Sequence, residues 1–129
     1  MKFTVDKHER YVVIEPLMDF LDGEAAAKLK GEFMLRHTGG QRNIVLNLCH
    51  VDDADEDGLR VGLLARRLCK ASGGLFILTG LSDKLINMIK MANMEGYFKT
   101  AQTVSNAEDM IFGNELRLDL RTSQHDEKV

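Results

Sequence analysis

The sequence predicts an α/β domain, a sandwich in which four helices pack on a mixed sheet of about five strands. Strand-like and helix-like segments alternate in the order β, β, α, β, α, β, α, β, α. The central strand-like segments are near-continuous apolar runs, which is typical of strands covered on both faces. With 129 residues and 44% hydrophobic content, the chain is long enough for one core. We therefore expect a single domain over residues 1–113, followed by a C-terminal extension or loose tail over residues 114–129.

The first third of the chain predicts a β-hairpin followed by a helix. Residues 3–5 alternate apolar and polar side chains and residues 11–14 form a short apolar run, so two strands flank the charged turn 6–10. From Asp22 the sequence becomes alanine-rich, with apolar residues at helical spacing and acidic residues early, where they favour the helix dipole. This first helix should end near residues 39–40, which are both glycine.

The middle of the chain predicts a central strand and a second helix. Residues 43–49, NIVLNLC, have the length and apolar character of a strand that is covered on both faces. In the helix that follows, Asp57 can cap the start and Gly73 can end it. The residues with the spacing of a buried helical face are Val61, Leu64, Ala65 and Leu68.

The last third predicts two strands and two helices. Residues 74–80 form a second buried strand, and Ser82 opens a third helix that Gly96 should stop. Residues 97–104 can form a short last strand. A short last helix follows, with Ser105 as its cap and an acidic residue three positions later, which is a capping-box pattern.

Composition excludes several classes of protein. The 17 basic and 20 acidic residues give a net charge of −3, which is no electrostatic footprint for nucleic acid. The N-terminal segment lacks the apolar core of a secretory signal, and no window approaches the roughly 18 apolar residues of a membrane span. We expect a cytoplasmic protein with no direct membrane insertion. Cys49 and Cys69 match no zinc or redox spacing, so we expect two buried, reduced thiols.

The stretch HVDDADEDGLR, residues 50–60, places five carboxylates in six positions, directly after the central strand. Ligands of α/β sheets gather at such loops, after the carboxyl ends of strands. The pattern from Asp53 to Gly58 resembles the first half of a calcium loop, but the twelfth position, which needs a glutamate, is Leu64. A strand also precedes the loop where the calcium motif needs a helix. We therefore predict no dedicated metal site there.

Enzyme chemistry finds little support in the residues. A phosphoryl-accepting receiver domain needs paired acids after its first strand, whereas Asp6 and Glu9 lie in the predicted hairpin turn. The four histidines stand alone, and His50, at a strand end, is most simply a hydrogen-bonded structural residue. No serine lies in a nucleophile elbow, and no glycine-rich loop has the spacing of a phosphate cradle. We predict no catalytic residues and no cofactor.

Five motifs in the last two thirds of the ordered chain resemble those of one family. They are IVLNL, VDDADEDGL, GGLFILTGL, IKMANMEGYF and AEDMI, in this order. The set is similar to the STAS domain family, which includes the anti-sigma factor antagonists. The first third of the chain fits that family only by strand order and by an aspartate at Asp19. The resemblance implies a stand-alone, single-domain bacterial protein that regulates transcription by binding another protein and is not an enzyme.

The resemblance also implies a functional position. In the family pattern, a serine just before the glycine of the loop is phosphorylated by the partner kinase, which breaks their complex. Position by position, the family aspartate falls on Asp55, the first serine on Glu56 and the phosphorylated serine on Asp57. A carboxylate cannot accept a phosphoryl group from a serine kinase. Asp57 is therefore either a fixed imitation of phosphate at a helix start or only a helix cap.

The partner implied by the resemblance is an anti-sigma factor kinase or a related regulatory protein. We expect it to contact the acidic loop and the start of the second helix. The predicted contact residues are Asp53, Asp55, Glu56, Asp57, Leu59, Arg60 and Leu63. Helical spacing turns the two leucines either toward this surface or against the third helix. The oligomeric state stays open.

Two further hypotheses stay open at this point. The carboxylate cluster, or a pocket near it, can serve a small-molecule or ion sensor. Some small members of the family are accessory STAS subunits of membrane transport complexes, and no sequence feature separates that role from the first.

Overall fold

Seven strands and four α-helices make up the part of the chain that the structure, a computed structural model, describes: the backbone of residues 2–127 and the side chains of residues 2–121. The strands are β1 (Phe3–Lys7), β2 (Val12–Pro16), β3 (Phe20–Leu21), β4 (Ile44–Asn47), β5 (Asp53–Ala54), β6 (Phe76–Thr79) and β7 (Lys99–Ala101). The helices are α1 (Gly23–Thr38), α2 (Glu56–Ala71), α3 (Asp83–Met91) and α4 (Val104–Glu127), and a short 3-10 helix spans Glu95–Tyr97.

Five of the strands form one mixed sheet in the order β1-β2-β4-β6-β7. Strands β1 and β2 are the predicted antiparallel hairpin, and every other neighbouring pair of this sheet is parallel. The predicted fold class, a mixed five-stranded sheet with four helices, is confirmed. The two-residue strands β3 and β5 were not predicted, and they pair with each other in parallel, apart from the main sheet.

Successive side chains of the central strands point to opposite faces of the sheet, so the sheet separates two hydrophobic layers. Val13, Val45 and Ile77 are aligned across three strands and pack with Ala107 and Ile111 of α4. The other face carries the larger layer, shared with α1, α2 and α3. Its members include Val12, Ile14, Ile44, Leu46, Phe76, Leu78, Leu29, Phe33, Val61, Ala65, Leu85 and Ile89. Helix α4 therefore covers one face, and the other three helices cover the opposite one.

Several helix ends lie where the sequence predicted them. Asp22 caps α1 by accepting a hydrogen bond from the N–H of Ala25 at 2.9 Å. Ser82 caps α3 in the same way. Gly40 and Gly73 follow α1 and α2 with positive φ angles of 89° and 79°, a conformation that glycine adopts without strain.

Two other helix ends differ from the prediction. Helix α3 ends at Met91, and the left-handed residue after it is Asn93, with a φ of 57°, while Gly96 lies in the 3-10 helix. Asparagine is among the few side chains that tolerate this conformation, so no glycine is needed. Helix α4 begins at Val104, two residues earlier than a Ser105 cap requires. Its start is capped by Thr103, whose hydroxyl accepts the N–H of Asn106 at 3.1 Å.

The buried face of α2 is rotated relative to the predicted one. The fully buried residues are Val61, Gly62, Ala65 and Cys69, whereas Leu64 and Leu68 are only half-buried. A Cβ at Gly62 would lie 2.9 Å from the ring of Phe98, so the glycine lets the helix approach that ring closely. The face of α2 that contacts the core is therefore made mostly of small residues, whereas hydrophobic spacing alone predicted that Leu64 and Leu68 belong to it.

Helix α4 continues past the predicted domain boundary at residue 113. Asn114 and Glu115 are buried, and residues 114–127 continue α4 beyond residue 113. Residues 128–129 of the predicted tail lie outside the described residues. Glu115 is held in place by partners that are distant in sequence. Its Oε1 accepts hydrogen bonds from Arg42 Nε at 3.0 Å and from Asn43 Nδ2 at 2.6 Å.

The two cysteines have different environments. Cys69 is buried on α2 and was correctly predicted, and desolvation raises the pKa of its thiol to about 12. Cys49 is exposed, so the prediction of a second buried thiol was wrong. The reason is that β4 ends at Asn47, which places Cys49 in the turn beyond the covered part of the strand.

Candidate functional site

The acidic loop, residues 52–57, follows β4 at the carboxyl end of the parallel strands and includes β5 and the first two residues of α2. A neighbouring segment holds its backbone. The N–H groups of Asp52 and Asp53 both donate to the carbonyl of Asp19, at 2.7 and 3.1 Å, and the N–H of Asp55 donates to the carbonyl of Leu21 at 3.0 Å. These bonds accompany the β3–β5 pairing. The segment before α1 therefore fixes the path of the loop.

The residue that caps α2 is Asp55, not Asp57. Asp55 has extended backbone angles, φ −93° and ψ −177°, and its Oδ1 accepts the N–H of Gly58 at 3.0 Å. Asp57 is already the second residue of the helix, so its side chain does not reach back as a cap does. The loop has aspartates at positions 53, 55 and 57, and Asp55 is the cap because α2 begins at the next residue, Glu56.

Gly58 permits the close approach of the two segments. A Cβ at this position would lie 2.8 Å from the carbonyl oxygen of Leu21, closer than real Cβ contacts. That same carbonyl accepts the N–H of Asp55. The glycine that follows the acidic residues therefore serves the packing of the loop against residues 20–21.

Asp57 presents its carboxylate to solvent in the first turn of α2. Its side chain is 59% exposed, and its closest ion pair joins Oδ1 to Arg60 Nη1 at 3.8 Å, whereas Arg60 Nη2 lies 2.8 Å from Glu56 Oε1. A Cβ at Gly23, the first residue of α1, would lie 3.1 Å from Asp57 Oδ2. The carboxylate thus lies beside the N-terminal turns of two helices, whose free N–H groups and partial positive charge favour an anion.

A groove between α1 and α2 adjoins Asp57. Its volume is about 350 Å³, and it is lined mainly by small and apolar residues with two cations at its edge. The lining residues are Gly23, Ala26, Ala27, Lys30, Asp57, Arg60, Val61 and Leu64. Leu64, which was predicted to face the core, is therefore part of this surface. The contribution of α1 was missed, because no local signal in the sequence shows which helices become neighbours.

The other predicted contact residues divide into two groups. Glu56 and Arg60 are exposed beside Asp57. Asp53 is half-buried, and its Oδ1 accepts the N–H of Ala54 at 2.9 Å, so it shapes the loop. Leu59 and Leu63 are half-buried against the main core, and Leu59 lines a small pocket together with residues of α3. Both leucines therefore pack against the core, and Leu59 does so beside α3.

The start of α3 holds the loop from the other side. Lys84 Nζ lies 2.9 Å from Asp52 Oδ2, and the Ser82 hydroxyl donates to the carbonyl of Asp52 at 2.6 Å. The hydrogen bond to Asp52 raises the pKa of Lys84 above its ordinary value. Asp52 is thus occupied with structure, while Asp57 is not.

The acidic loop does not gather its carboxylates around a common point. Among the side chains that the structure describes, one group of three potential metal ligands converges, and it consists of Glu15, Cys49 and His50 rather than loop aspartates. In the same part of the chain, no helix combines the length and apolar character that crossing a bilayer requires. Asp57 has an exposed carboxylate that neither caps α2 nor holds the loop backbone among the contacts described.

Comparison with solved structures finds proteins of the same fold. The Thermotoga maritima protein TM1081 is 24% identical, with 84% of this chain and 93% of that chain covered and a TM-score of 0.78. The anti-sigma factor antagonist SpoIIAA of Bacillus, in its unphosphorylated form, is 23% identical. The match covers 87% of this chain and 99% of that chain, with a TM-score of 0.70. At these identities the likeness shows the fold.

A third solved structure is a variant of RsbS from Moorella thermoacetica in which glutamate replaces a serine. It is 22% identical, covers 88% of this chain and 97% of that chain, and has a TM-score of 0.70. Comparison with curated proteins gave no significant match. The family model described as "STAS domain" matches residues 2–107, which include all five strands of the main sheet and the acidic loop. The chain belongs to the STAS domain family.

Proposed function

We propose that this protein is a non-catalytic regulatory module that binds another protein through its acidic loop and the first turn of α2. Its role resembles that of an anti-sigma factor antagonist, and its partner is a kinase-like anti-sigma factor or a related regulator of transcription. One observation carries the proposal: Asp57, in the family's phosphoserine position, has an exposed carboxylate that does not cap its helix.

The chemistry of position 57 supports a fixed state in place of a switch. A phosphoserine carries a charge of about −1.5 to −2, and one carboxylate supplies part of it at the same helix N-terminus. Among the similar structures, SpoIIAA has been solved in unphosphorylated and phosphorylated forms, and RsbS as a serine-to-glutamate variant. By analogy, Asp57 holds this chain in a state that imitates phosphorylation, and the partner binds it weakly and without a kinase-driven change.

The surface beside Asp57 indicates the chemistry of the partner. Exposed carboxylates of Glu56 and Asp57 adjoin the mainly apolar groove between α1 and α2. A complementary partner surface combines basic side chains with an apolar side chain that enters the groove near Leu64. We infer that charge sets the orientation and that the groove supplies most of the buried apolar area.

The test starts from co-purification of the full chain from its source cell and identification of the bound regulator. The affinity of that regulator is then measured calorimetrically for the native protein and for Asp57→Asn, Asp57→Ser and Asp109→Asn. Asp109 is the matched control, because it is an exposed aspartate in the N-terminal part of α4. We expect both Asp57 variants to bind several-fold more tightly, and the control to bind like the native protein.

The serine variant adds a second measurement. With ATP and a kinase partner, Asp57→Ser should become phosphorylated and lose the partner, whereas Asp57→Asn should keep it. Equal affinity of the native protein and both Asp57 variants would remove position 57 from the mechanism.

A further inference from the structure

Three side chains with metal-ligating atoms converge at the carboxyl end of the parallel strands, outside the proposed contact surface. Glu15 lies near the end of β2, and Cys49 and His50 lie in the turn after β4. One ligand atom from each residue lies within 4.8 Å of the other two, and His50 Nε2 is 3.0 Å from Glu15 Oε2. Strands β2 and β4 are parallel neighbours, so their carboxyl ends lie side by side and bring these residues together.

The cluster has a supporting layer of hydrogen bonds. Asn47 Nδ2 donates to Glu15 Oε1 at 2.9 Å, and Asn47 Oδ1 accepts the N–H of Cys49 at 3.2 Å. Asn47 therefore orients the carboxylate and the backbone of the cysteine at once, leaving Oε2 of Glu15 directed at the imidazole. Ligating carboxylates in metal sites are commonly held by an outer hydrogen bond of this kind.

The backbone of Cys49 lies close to Gly80, the residue that follows β6. Gly80, with a φ of 67°, lies so close that a Cβ there would approach the N and Cβ atoms of Cys49 within 3.0 Å. Cys49 nevertheless stays an exposed residue, and the side chain of His50 is 51% exposed. The cluster is thus positioned by the fold and open to solvent, which gives an incoming ion a path and leaves room for water as a further ligand.

The ligand set selects a class of metal. A thiolate, an imidazole and a carboxylate together suit zinc and similar borderline divalent cations, whereas magnesium and calcium prefer oxygen ligands alone. A tetrahedral zinc separates its ligand atoms by roughly 3.3–3.6 Å, and the ligand atoms here lie 3.0 Å apart for His50 and Glu15 and within 4.8 Å for the thiol. Thiolate and carboxylate together carry the two negative charges that balance a divalent ion.

We propose that Glu15, Cys49 and His50 form a binding site for a zinc-class divalent cation, with Asn47 as the residue that positions them. Ion binding releases the thiol proton and replaces the hydrogen bond between His50 and Glu15 with bonds to the metal. The site does not depend on the proposed partner, because its ligands are distinct from Glu56, Asp57 and the α1–α2 groove.

Titration of the full chain with Co²⁺, in the presence of a phosphine reductant, tests the proposal. We expect one ion per chain, a thiolate-to-cobalt charge-transfer band, visible bands of four-coordinate cobalt, and displacement of the cobalt by Zn²⁺. Cys49→Ser should abolish the charge-transfer band, and His50→Ala and Glu15→Gln should each weaken binding by at least about tenfold.

The chain supplies matched controls. Cys69→Ser removes the other cysteine, which is buried. His8→Ala removes an imidazole that lies 3.0 Å from the carboxylate of Asp6 in an exposed pair without a thiol. Both controls should keep the cobalt spectrum and affinity of the native protein. The proposal is overturned by the absence of a charge-transfer band at millimolar Co²⁺, by its persistence in Cys49→Ser, or by its loss in Cys69→Ser.

Discussion

The side chain of Asp55 accepts a hydrogen bond from the backbone N–H of Gly58 at 3.0 Å and so closes the N-terminus of α2. Two residues later, Asp57 has no part in that cap and faces solvent. The loop therefore assigns helix initiation and the exposed charge to different aspartates. This separation makes the two contributions measurable by independent substitutions.

Asp55→Ala should lower the free energy of unfolding by about 1 kcal/mol, because it removes an N-cap. Asp57→Ala should change it by about 0.5 kcal/mol or less, since this exposed group contributes only a dipole interaction and a long ion pair. Urea denaturation of both variants measures the difference. An equal loss in the two variants would contradict the assignment of the cap.

Gly62→Ala should destabilise the protein by about 1 kcal/mol, although alanine favours helices. The added methyl group would lie 2.9 Å from the ring of Phe98, and overpacking of this kind outweighs the propensity gain. Gly113→Ala in α4 is the control, because nothing lies within 4 Å of its Cβ position. The control should be stabilised by about 0.5–1 kcal/mol. Thermal unfolding of the two variants decides the sign of each effect.

Glu115→Gln should lower stability by about 2 kcal/mol at neutral pH, because it removes a buried, charge-assisted hydrogen bond to Arg42. The hydrogen bond from Arg42 holds the pKa of Glu115 below its ordinary value of 4.5. A depressed folded-state pKa stabilises the protein above the unfolded pKa, and this contribution is lost as pH falls through the lower value. The stability difference between the native protein and Glu115→Gln should therefore shrink below about pH 4.5. Denaturation curves from pH 7 to pH 3 give this dependence, and a constant difference would contradict it.

The phenol of Tyr11 should ionise only at a pH well above the ordinary pKa of tyrosine. Burial, followed by its hydrogen bond to Glu108 at 2.6 Å, raises the pKa of the Tyr11 phenol to about 12. Because the folded-state pKa exceeds the ordinary value of 10.0, the neutral phenol stabilises the protein below pH 10, and this stability is lost between about pH 10 and pH 12. The chain has two tyrosines, so Tyr97→Phe leaves Tyr11 as the reporter. Ultraviolet titration of that variant should give a midpoint near 12, and a midpoint near 10 would contradict the contact.

The features that the sequence predicted correctly are encoded locally. The apolar runs of β4 and β6, the serine that caps α3 and the glycine that ends α2 each carry their signal within a few residues. The acidic loop also lies where its position after a strand placed it. Periodicity and end signals act over these short distances, so one sequence suffices for them.

The features that the sequence missed depend on distant partners or on several equivalent candidates. Strands β3 and β5 have two residues each and exist through their mutual pairing. From the local sequence, Glu115 is expected at the surface, but it is buried because it bonds to Arg42 and Asn43, more than 70 positions earlier. Asp55 and Asp57 are both suitable caps by residue type, and the choice between them follows from contacts with Leu21.

The cap at Asp55 has a consequence for the evolution of position 57. Because helix initiation rests on another residue, a mutation at position 57 can exchange serine, aspartate or another polar side chain with little penalty in folding. If position 57 acts as proposed, one substitution there separates a regulated protein from a permanently set one while the fold is preserved. Under the proposed function, the residue at position 57 then distinguishes a chain that a kinase can regulate from one that it cannot.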